Sequence, residues 1–553
     1  MKLEKSWKRD VNCVIQKPMY KRTARLFFVA IVCICGFACA QDAPEKEVKE
    51  VASRILPDMI EAGLAAGQSF IKIPPGRYYV APKNGTHLRL ENIEGVTIDA
   101  TGVEMLCSET TRAILIEDCK DLVIIGLTID YDPLPFTQGT IVGISADRKS
   151  HTIRIMEGFP AAESAMVFKH MIFTPEGDLR FGHYYAMELE VLADNHLKIS
   201  GLHPGKDGGE QIGDQVVISS ESLKGRFDPH AVHTYNSVRI RLEDVTLYAS
   251  PCFGFFGEHS SETVYVNCKV DRRAGRLLSL NADAFHSKFA EVGPRIDNCF
   301  AMWMGDDGVN ICGAYHLVIS SEGTKLRVLA KRIMDIEVGD PVQLLTVDGH
   351  ALPPATVVAI NEVGKKTAAD RKEIAPLPLL SNVVSLLKVA YEIELDREVE
   401  LAAGSVIGSL NRMGNGFAVV DSTFGNIRSR GILVKASDGV ISGNTVVNCA
   451  LQGIKLGPEY IWLESGFTRR LRVVGNTIID SKAESILVDS FGPFPIHQDI
   501  DILDNEIRSN SYPLIRIRGL DGGTLEGNYI QNSDGQRAPR SALDIQHSKN
   551  IHL

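Results

Sequence analysis

The sequence predicts an all-β protein, a right-handed, single-stranded parallel β-helix carrying two small inserted β-barrel domains. A chain of 553 residues exceeds what one hydrophobic core usually supports, so it either divides into several domains or grows in one dimension by repetition. Short β-branched strands recur behind a turn residue, at Gly126-Leu127-Thr128-Ile129, Asp244-Val245-Thr246-Leu247, Asn267-Cys268-Lys269-Val270, Asn298-Cys299-Phe300-Ala301, Asn444-Thr445-Val446-Val447, Asn476-Thr477-Ile478-Ile479, Asn505-Glu506-Ile507 and Asn528-Tyr529-Ile530. Successive turn residues, with Gly102 and Asp421 included, are 23 to 32 residues apart, except for two intervals of 118 and 123 residues. Steps of the shorter kind mean one solenoid coil each, and each long one means a coil plus an insertion of about 95 or 100 residues.

A single coil cannot bury its apolar face, whereas coils stacked about 4.8 Å apart pair every strand edge and share one core. Asn at the turn suits a left-handed backbone and offers its amide to the equivalents above and below. At the N-terminal end, Val48, Val51, Ile55, Met59 and Ile60 recur at helical spacing before the strand-and-turn run Ile71-Lys72-Ile73-Pro74-Pro75-Gly76, as expected of a helix covering the open end of a solenoid. Both insertions alternate apolar and polar residues, as at His151-Thr152-Ile153-Arg154-Ile155 and Lys325-Leu326-Arg327-Val328-Leu329. The openings Gly213-Asp214-Gln215-Val216 and Gly339-Asp340-Pro341-Val342 match, so the same barrel-like unit is expected twice. The resulting division is 1–40 signal, 41–133 cap and first coils, 134–231 first insertion, 232–313 coils, 314–415 second insertion and 416–553 final coils. The insertions would serve as rigid walls around a site or as a surface for a homo-oligomer, and the sequence leaves both open.

Residues 1–40 place Lys21, Arg22 and Arg25 before an apolar run that ends Ala38-Cys39-Ala40, the pattern of a secretory signal with a small-residue cleavage site. The run is short for a transmembrane helix. Gly36-Phe37-Ala38-Cys39 also resembles a lipoprotein box, so the expectation is a periplasmic or cell-surface protein, free or lipid-anchored at Cys39. Loss of this segment removes eight Lys/Arg and two Asp/Glu and takes the formal charge from -10 to -16. So acidic a chain is a poor partner for nucleic acid or anionic lipid, and it argues against a polyanionic substrate. The seven cysteines beyond residue 40 show no CxxC spacing and read as small buried residues inside the solenoid rather than a disulfide or zinc framework.

Aligning the coils makes neighbours of residues far apart in sequence. Asp283, in Asn281-Ala282-Asp283-Ala284-Phe285-His286, stands 24 residues before Asp307 in Met304-Gly305-Asp306-Asp307-Gly308-Val309-Asn310, so it is expected to stack on the Asp306–Asp307 pair. Three carboxylates within about 5–6 Å repel one another, and that crowding raises at least one pKa. One cluster then supplies the protonated acid and the ionised base that glycosidic cleavage requires. Asp-Asp-Gly by itself is a common turn; the register with Asp283 is what lifts it above that reading. His286 and Asn310 follow on the adjoining strands, Arg430, Lys455 and Glu484 stand at the corresponding places of later coils, and Asn281 and Trp303 flank the cluster. These are candidate substrate contacts, although polar residues at solenoid corners often simply face water. Trp303 is suited either to stacking on a sugar face or to core packing.

Asn281-Ala282-Asp283 followed by Asp306-Asp307 resembles the Asn-x-Asp and Asp-Asp motifs of the polygalacturonase-type hydrolases of the pectin-lyase-like fold class. Their Gly-His-Gly segment is missing, and Gly453-Ile454-Lys455 only partly echoes Arg-Ile-Lys. The order of signal, Ile-Pro-Pro-Gly opening, two insertions and the two acidic motifs over residues 48–553 is more similar to glycoside hydrolase family 110, the exported bacterial α-1,3-galactosidases. That resemblance implies removal of terminal α-1,3-linked galactose from blood group B and linear α-galactosyl glycans with inversion. It implies Asp306 as general acid, Asp283 and Asp307 holding and deprotonating water, and no cofactor and no metal. Two alternatives are a polygalacturonase-like hydrolase or a β-helix polysaccharide lyase, the latter with carboxylates on Ca²⁺ and Arg430 abstracting a proton. A third is a non-catalytic glycan-binding solenoid.

Overall fold

A computed structural model describes residues 52–184, 188–201, 209–220 and 229–553. Residues 1–40, where an export signal is expected, and Cys39, Val48 and Val51 lie outside the described residues. The helix begins at Ile55 and runs to Ala65, burying Leu56 and Ile60 against the first coil. Among the described residues no helix is long and apolar enough to cross a membrane.

The body is a parallel β-helix. Its coils contribute strands to three faces, and every strand pairs in parallel with its equivalent one coil on. One face runs through Arg112–Glu117, Val232–Tyr235, Phe255–Glu258, Phe285–Lys288, Val309–Ala314, Ile432–Val434, Ile454–Leu456, Ile486–Val488, Ile515–Arg518 and Leu543–Gln546. Two others are typified by Arg295–Asp297 beside Ala418–Val420 and Phe300–Met302 beside Thr423–Ile427. Alternation sets the inside: Val232, Phe255, Phe285, Val309, Ile432, Ile454, Ile486 and Ile515 stack into one buried column, while their neighbours His233, Phe256, His286, Asn310, Leu433 and Lys455 share the opposite face.

Both insertions leave the solenoid unbroken. Arg112–Glu117 and Val232–Tyr235 are hydrogen-bonded neighbours although the first insertion separates them, and Val309–Ala314 pairs directly with Ile432–Val434 across the second. The second insertion closes into a six-stranded barrel from His316–Glu322 to Val406–Ser409. The first is a seven-stranded antiparallel sheet from Phe136–Ile144 to Gln215–Ser220, and no ladder joins its two end strands among the described residues.

The asparagine ladder exists, displaced from the turn position that the repeat suggested. Asn444, Asn476 and Asn505 each donate Nδ2 to Oδ1 of the next ladder residue at 2.9 Å, ending on Asn528. The same oxygens accept the backbone N–H of the preceding asparagine at 3.0–3.1 Å. The left-handed residue is one place earlier, at Gly443, Gly475, Asp504 and Gly527, whereas in the earlier coils Asn267 and Asn298 themselves are left-handed. The later asparagines therefore align with Cys299 and Ser422, whose N–H groups and side chains fill the same column. The seven cysteines beyond residue 40 are all unbridged, and six of them are buried.

Replacing Asn476 with Ala should strand the backbone N–H of Asn444 and take one of two bonds from both the Asn444 amide and the Asn505 oxygen, at about 1–3 kcal/mol for a group left unpaired. Calorimetry should show a clearly lowered Tm, and an unchanged Tm would show that the ladder contributes nothing.

Candidate active site

The corner preceding the Val309–Ala314 face builds the site. Ala284 donates its N–H to the Asp307 carbonyl at 3.0 Å, and Gly308 donates to the Arg430 carbonyl at 2.9 Å. Gly254 to Asp283, Gly431 to Gln452 and Gly453 to Glu484 repeat the same bond. One vertical row therefore reads Phe253, Asp283, Asp307, Arg430, Gln452, Glu484. Stacking this tight requires glycine: a Cβ on Gly305 would sit 2.6 Å from the Asn281 carbonyl oxygen, and one on Gly308 would sit 2.5 Å from that of Gly431.

Asp283, Asp306 and Asp307 each place one carboxylate oxygen within 4.8 Å of the others. Asp283 and Asp307 are buried, while Asp306 keeps 30% of its side chain exposed. Each carboxylate has its own partner. His286 Nδ1 meets Asp283 Oδ2 at 2.7 Å, and the Asp307 N–H donates to Asp283 Oδ1 at 3.3 Å. Arg428 donates Nη2 to Asp306 Oδ2 at 2.7 Å and Nε to the Gly305 carbonyl. Arg430 binds Asp307 twice, through its backbone N–H at 2.9 Å and Nη1 at 3.3 Å. Burial pushes the Asp307 carboxyl above the usual carboxylate range, with Asp306 adding to that push and Arg430 opposing it.

A buried chain of alternating charge continues from there. Arg430 Nη2 reaches Glu459 Oε1, which also accepts Lys455 Nζ at 2.8 Å. Lys435, fully buried, donates to Glu464 at 2.8 Å and to Asn310 Oδ1 at 3.0 Å, and stands 3.6 Å from Glu459. Burial opposes ionisation of Glu459, yet Lys435, Lys455 and Arg430 outweigh it and hold the carboxyl down at about 2. The 457–468 loop that carries both glutamates is fastened to the second insertion's root, where Glu464–Ser465 pairs antiparallel with Gly313 and Ala314.

The candidates read from sequence fall into distinct places. Asp283, Asp306, Asp307, His286 and Arg430 converge. Asn310 and Lys455 sit on the outward row beside them but are bound to Lys435 and Glu459. Asn281 spends both amide hydrogens on the Pro135 and Pro251 carbonyls, pinning the first insertion's root to the acidic corner. Glu484 lies three coils past Asp307, about 14 Å along the stack, and is bound to Gln452 and Arg516. Trp303 is half-buried beneath the Arg272 guanidinium, 3.5 Å from its ring centroid. The coil alignment did not single out Arg428, Glu459, Lys435 or Glu464, nor the stack of His230 on Phe253 on His286, with ring centroids 4.8 and 4.4 Å apart. Of these, only Arg428 had a usable signal, lying two residues before Arg430.

The arrangement can hold a water between two carboxylate oxygens, since oxygens up to 4.8 Å apart each lie within hydrogen-bond reach of one molecule about 2.8 Å from both. The same three oxygens could ligate a divalent cation, but Arg428 and Arg430 already supply the positive charge that such an ion would bring.

Fold and site together define a parallel β-helix protein with an acidic cluster set into one corner of its coils. No protein-family profile matches the chain. It is similar to alpha-1,3-galactosidase B of Bacteroides thetaiotaomicron, 23% identical over 480 residues that make up 80% of this chain and 74% of that one. It is likewise similar to alpha-1,3-galactosidase A of the same organism, at 22% over 83% and 82% of the two chains, and to that of Shewanella woodyi, at 20% over 84% and 78%. The chain thus resembles the α-1,3-galactosidases over some four fifths of its length. Among solved structures it is similar to the A-module of a mannuronan C-5 epimerase from Azotobacter vinelandii, with a TM-score of 0.39 and 11% identity over 89% of this chain and 94% of that one. A second is the catalytic domain of an α-1,3-glucanase in complex with nigerose, with a TM-score of 0.38 and 9% identity over 89% and 65%.

Glu459→Gln should leave Arg430, Lys435 and Lys455 short of counter-charge and lower stability at neutral pH by about 3–5 kcal/mol. The folded carboxyl is held at about 2, below its ordinary value of 4.5, so its contribution is complete above the ordinary value and fades as pH falls toward 2. Thermal melts should show wild type and variant far apart at pH 7 and converging near pH 2. A constant gap across that range would remove the assigned role.

Proposed function

We propose that the protein is an exo-acting glycoside hydrolase that releases terminal α-1,3-linked galactose, from blood group B type glycans, linear α-galactosyl glycans or both. The observation that carries the reading is the convergence of Asp283, Asp306 and Asp307 on one corner with one oxygen from each within 4.8 Å, in a chain similar to named α-1,3-galactosidases. Asp306 is the most exposed of the three, which suits a general acid delivering its proton to the glycosidic oxygen. Asp283 and Asp307 suit the holding of water, and the raised pKa of Asp307 makes it a stronger base nearer neutrality. His286, bound to Asp283, and Arg428 and Arg430, bound to the pair, fix the carboxylates against rotation before substrate arrives. The reaction then inverts the anomeric centre: the C–O bond breaks as the leaving oxygen takes the Asp306 proton. Water adds from the other face and passes its proton to the Asp283–Asp307 pair. The scheme uses no cofactor, and an export signal suits glycans met outside the cytoplasm.

A second reading rests on distance. Oxygens within 4.8 Å are closer than the carboxyl separations of about 6.5–9.5 Å usual for inversion, and nearer the roughly 5–5.5 Å of retention. In that case a carboxylate would attack the sugar directly.

The purified chain should release galactose from linear and fucosylated α-1,3-galactosides, in chelator as well as without it. The first-formed anomer, followed by NMR, should be β for inversion; an α product would establish retention. Asp306→Asn should fall by at least about a hundredfold with the chain still folded by circular dichroism, and an active Asp306→Asn protein would remove the acid assignment. Unsaturated, ultraviolet-absorbing products dependent on Ca²⁺ would point to a lyase, and binding without turnover to a glycan-binding solenoid.

The acid limb of kcat/KM should lie above the ordinary carboxylate range, because Asp307 must be ionised. Arg430→Gln removes the charge that opposes the upward push on Asp307, so the limb should move to higher pH. A limb that stays in place or moves down would contradict the assignment of Asp307 as base.

A further inference from the structure

The corner that bears the acidic cluster is lengthened in one coil. Residues 271–284 join Lys269–Val270 to Phe285–Lys288, whereas residues 303–308 suffice in the next coil. The long loop is rigidly built. Asp130, buried, receives Arg273 Nε at 2.5 Å and Arg276 Nη1 at 2.8 Å, and Gln138 of the first insertion takes the Leu277 N–H at 3.0 Å and donates to the Gly275 carbonyl at 3.2 Å. Opposite stands the 174–178 turn of the first insertion, held by Gln215 Nε2 on the Pro175 carbonyl at 2.7 Å. Between loop and turn lies a pocket of about 360 Å³.

Arg272 differs from its two neighbours. They are spent on Asp130, while its guanidinium lies over the Trp303 ring and bonds only weakly to the Leu277 carbonyl, at 3.4 Å. Stacked in that way, the fork presents its edge to the pocket as a ready pair of donors. Across from it Glu176 offers carboxylate oxygens and Gln215 its amide oxygen, while Asp271, next to Arg272, is held by Lys269 Nζ at 2.9 Å and by the Arg272 N–H at 2.8 Å. A lining of mixed sign suits a neutral polyhydroxylated ligand, because an anion would meet two carboxylates and a cation three arginines. Trp303, whose ring carries Arg272, precedes Asp306 by three residues, a span of at most about 10 Å, so Arg272 rests on the same corner that bears the acidic cluster.

We propose that this pocket is a second glycan subsite, which binds the neutral sugar next to the galactose being released, with Arg272 donating to its hydroxyls and Glu176 accepting from them. The proposal rests on the galactosidase reading and adds the feature that separates a long glycan from a small galactoside. Trp303 then acts as the platform that fixes Arg272 rather than as a sugar-stacking face.

The test compares an α-1,3-linked galactose trisaccharide with nitrophenyl α-galactoside, which has no second sugar, on the full chain. Arg272→Ala should raise KM about tenfold for the trisaccharide, the loss expected for one charge-assisted contact, with little change in kcat. The nitrophenyl substrate should be hydrolysed as by wild type. Glu176→Gln, on an exposed turn away from the coils, should shift the trisaccharide KM in the same direction and serves where Arg272→Ala disturbs folding. Equal losses on both substrates, or no change in the trisaccharide KM with either variant, would overturn the subsite. If wild type releases galactose from neither substrate, the galactosidase reading itself fails.

Discussion

Everything at the acidic corner depends on one backbone interaction, the parallel ladder that seats Ala284 and Phe285 on the carbonyls of Asp307 and Gly308 at 3.0 Å. It puts two carboxylates from separate coils into one vertical row. Because side chains alternate along a strand, a slip of a single residue would turn Phe285 and Val309 out of the core and His286 and Asn310 into it. Register is therefore enforced by the buried column of apolar side chains that runs the length of the solenoid. Mutual repulsion of the carboxylates acts against a cohesion spread over many coils, so the fold can keep an arrangement that is locally unfavourable.

Charge is managed by alternation. Asp307, Arg430, Glu459, Lys435 and Glu464 follow one another with opposite signs, so that each of these five groups has a counter-ion, the condition under which buried charge is tolerable. The chain runs from the acidic corner to the root of the second insertion through the 457–468 loop. The first insertion is tied to the same corner by Asn281 on the Pro135 carbonyl. Both insertions are thus anchored beside the carboxylates, at the place where the solenoid carries polar groups.

Much of this was legible in the sequence for a physical reason. A coil has a fixed length, so residues one coil apart are neighbours, and the 24 residues between Asp283 and Asp307 translate directly into contact. The same rule placed Arg430 and Glu484 in the row. It erred by one position at Asn444, Asn476, Asn505 and Asn528, because asparagine serves equally at a left-handed turn and in an amide ladder, and those two places are adjacent. It missed Glu459 and Glu464, which belong to a loop whose path no period dictates. It also missed the part played by Lys435, which its own coil would leave as an ordinary surface cation; it is buried because residues from a later loop fold over it. Asn281 was legible as a corner residue, but the two distant carbonyls that occupy its amide were not.

The way the insertions interrupt the chain bears on the order of folding. Arg112–Glu117 must find Val232–Tyr235, and Val309–Ala314 must find Ile432–Val434, across more than a hundred residues each. Closing such loops costs conformational entropy and slows assembly. A barrel or sheet that first condenses on its own local hairpins brings the two roots together, converting a distant encounter into a near one. In each insertion the first strand pairs with the last, Phe136–Ile144 with Gln215–Ser220 and His316–Glu322 with Val406–Ser409, so a folded insertion clamps together the two chain segments that must meet in the solenoid.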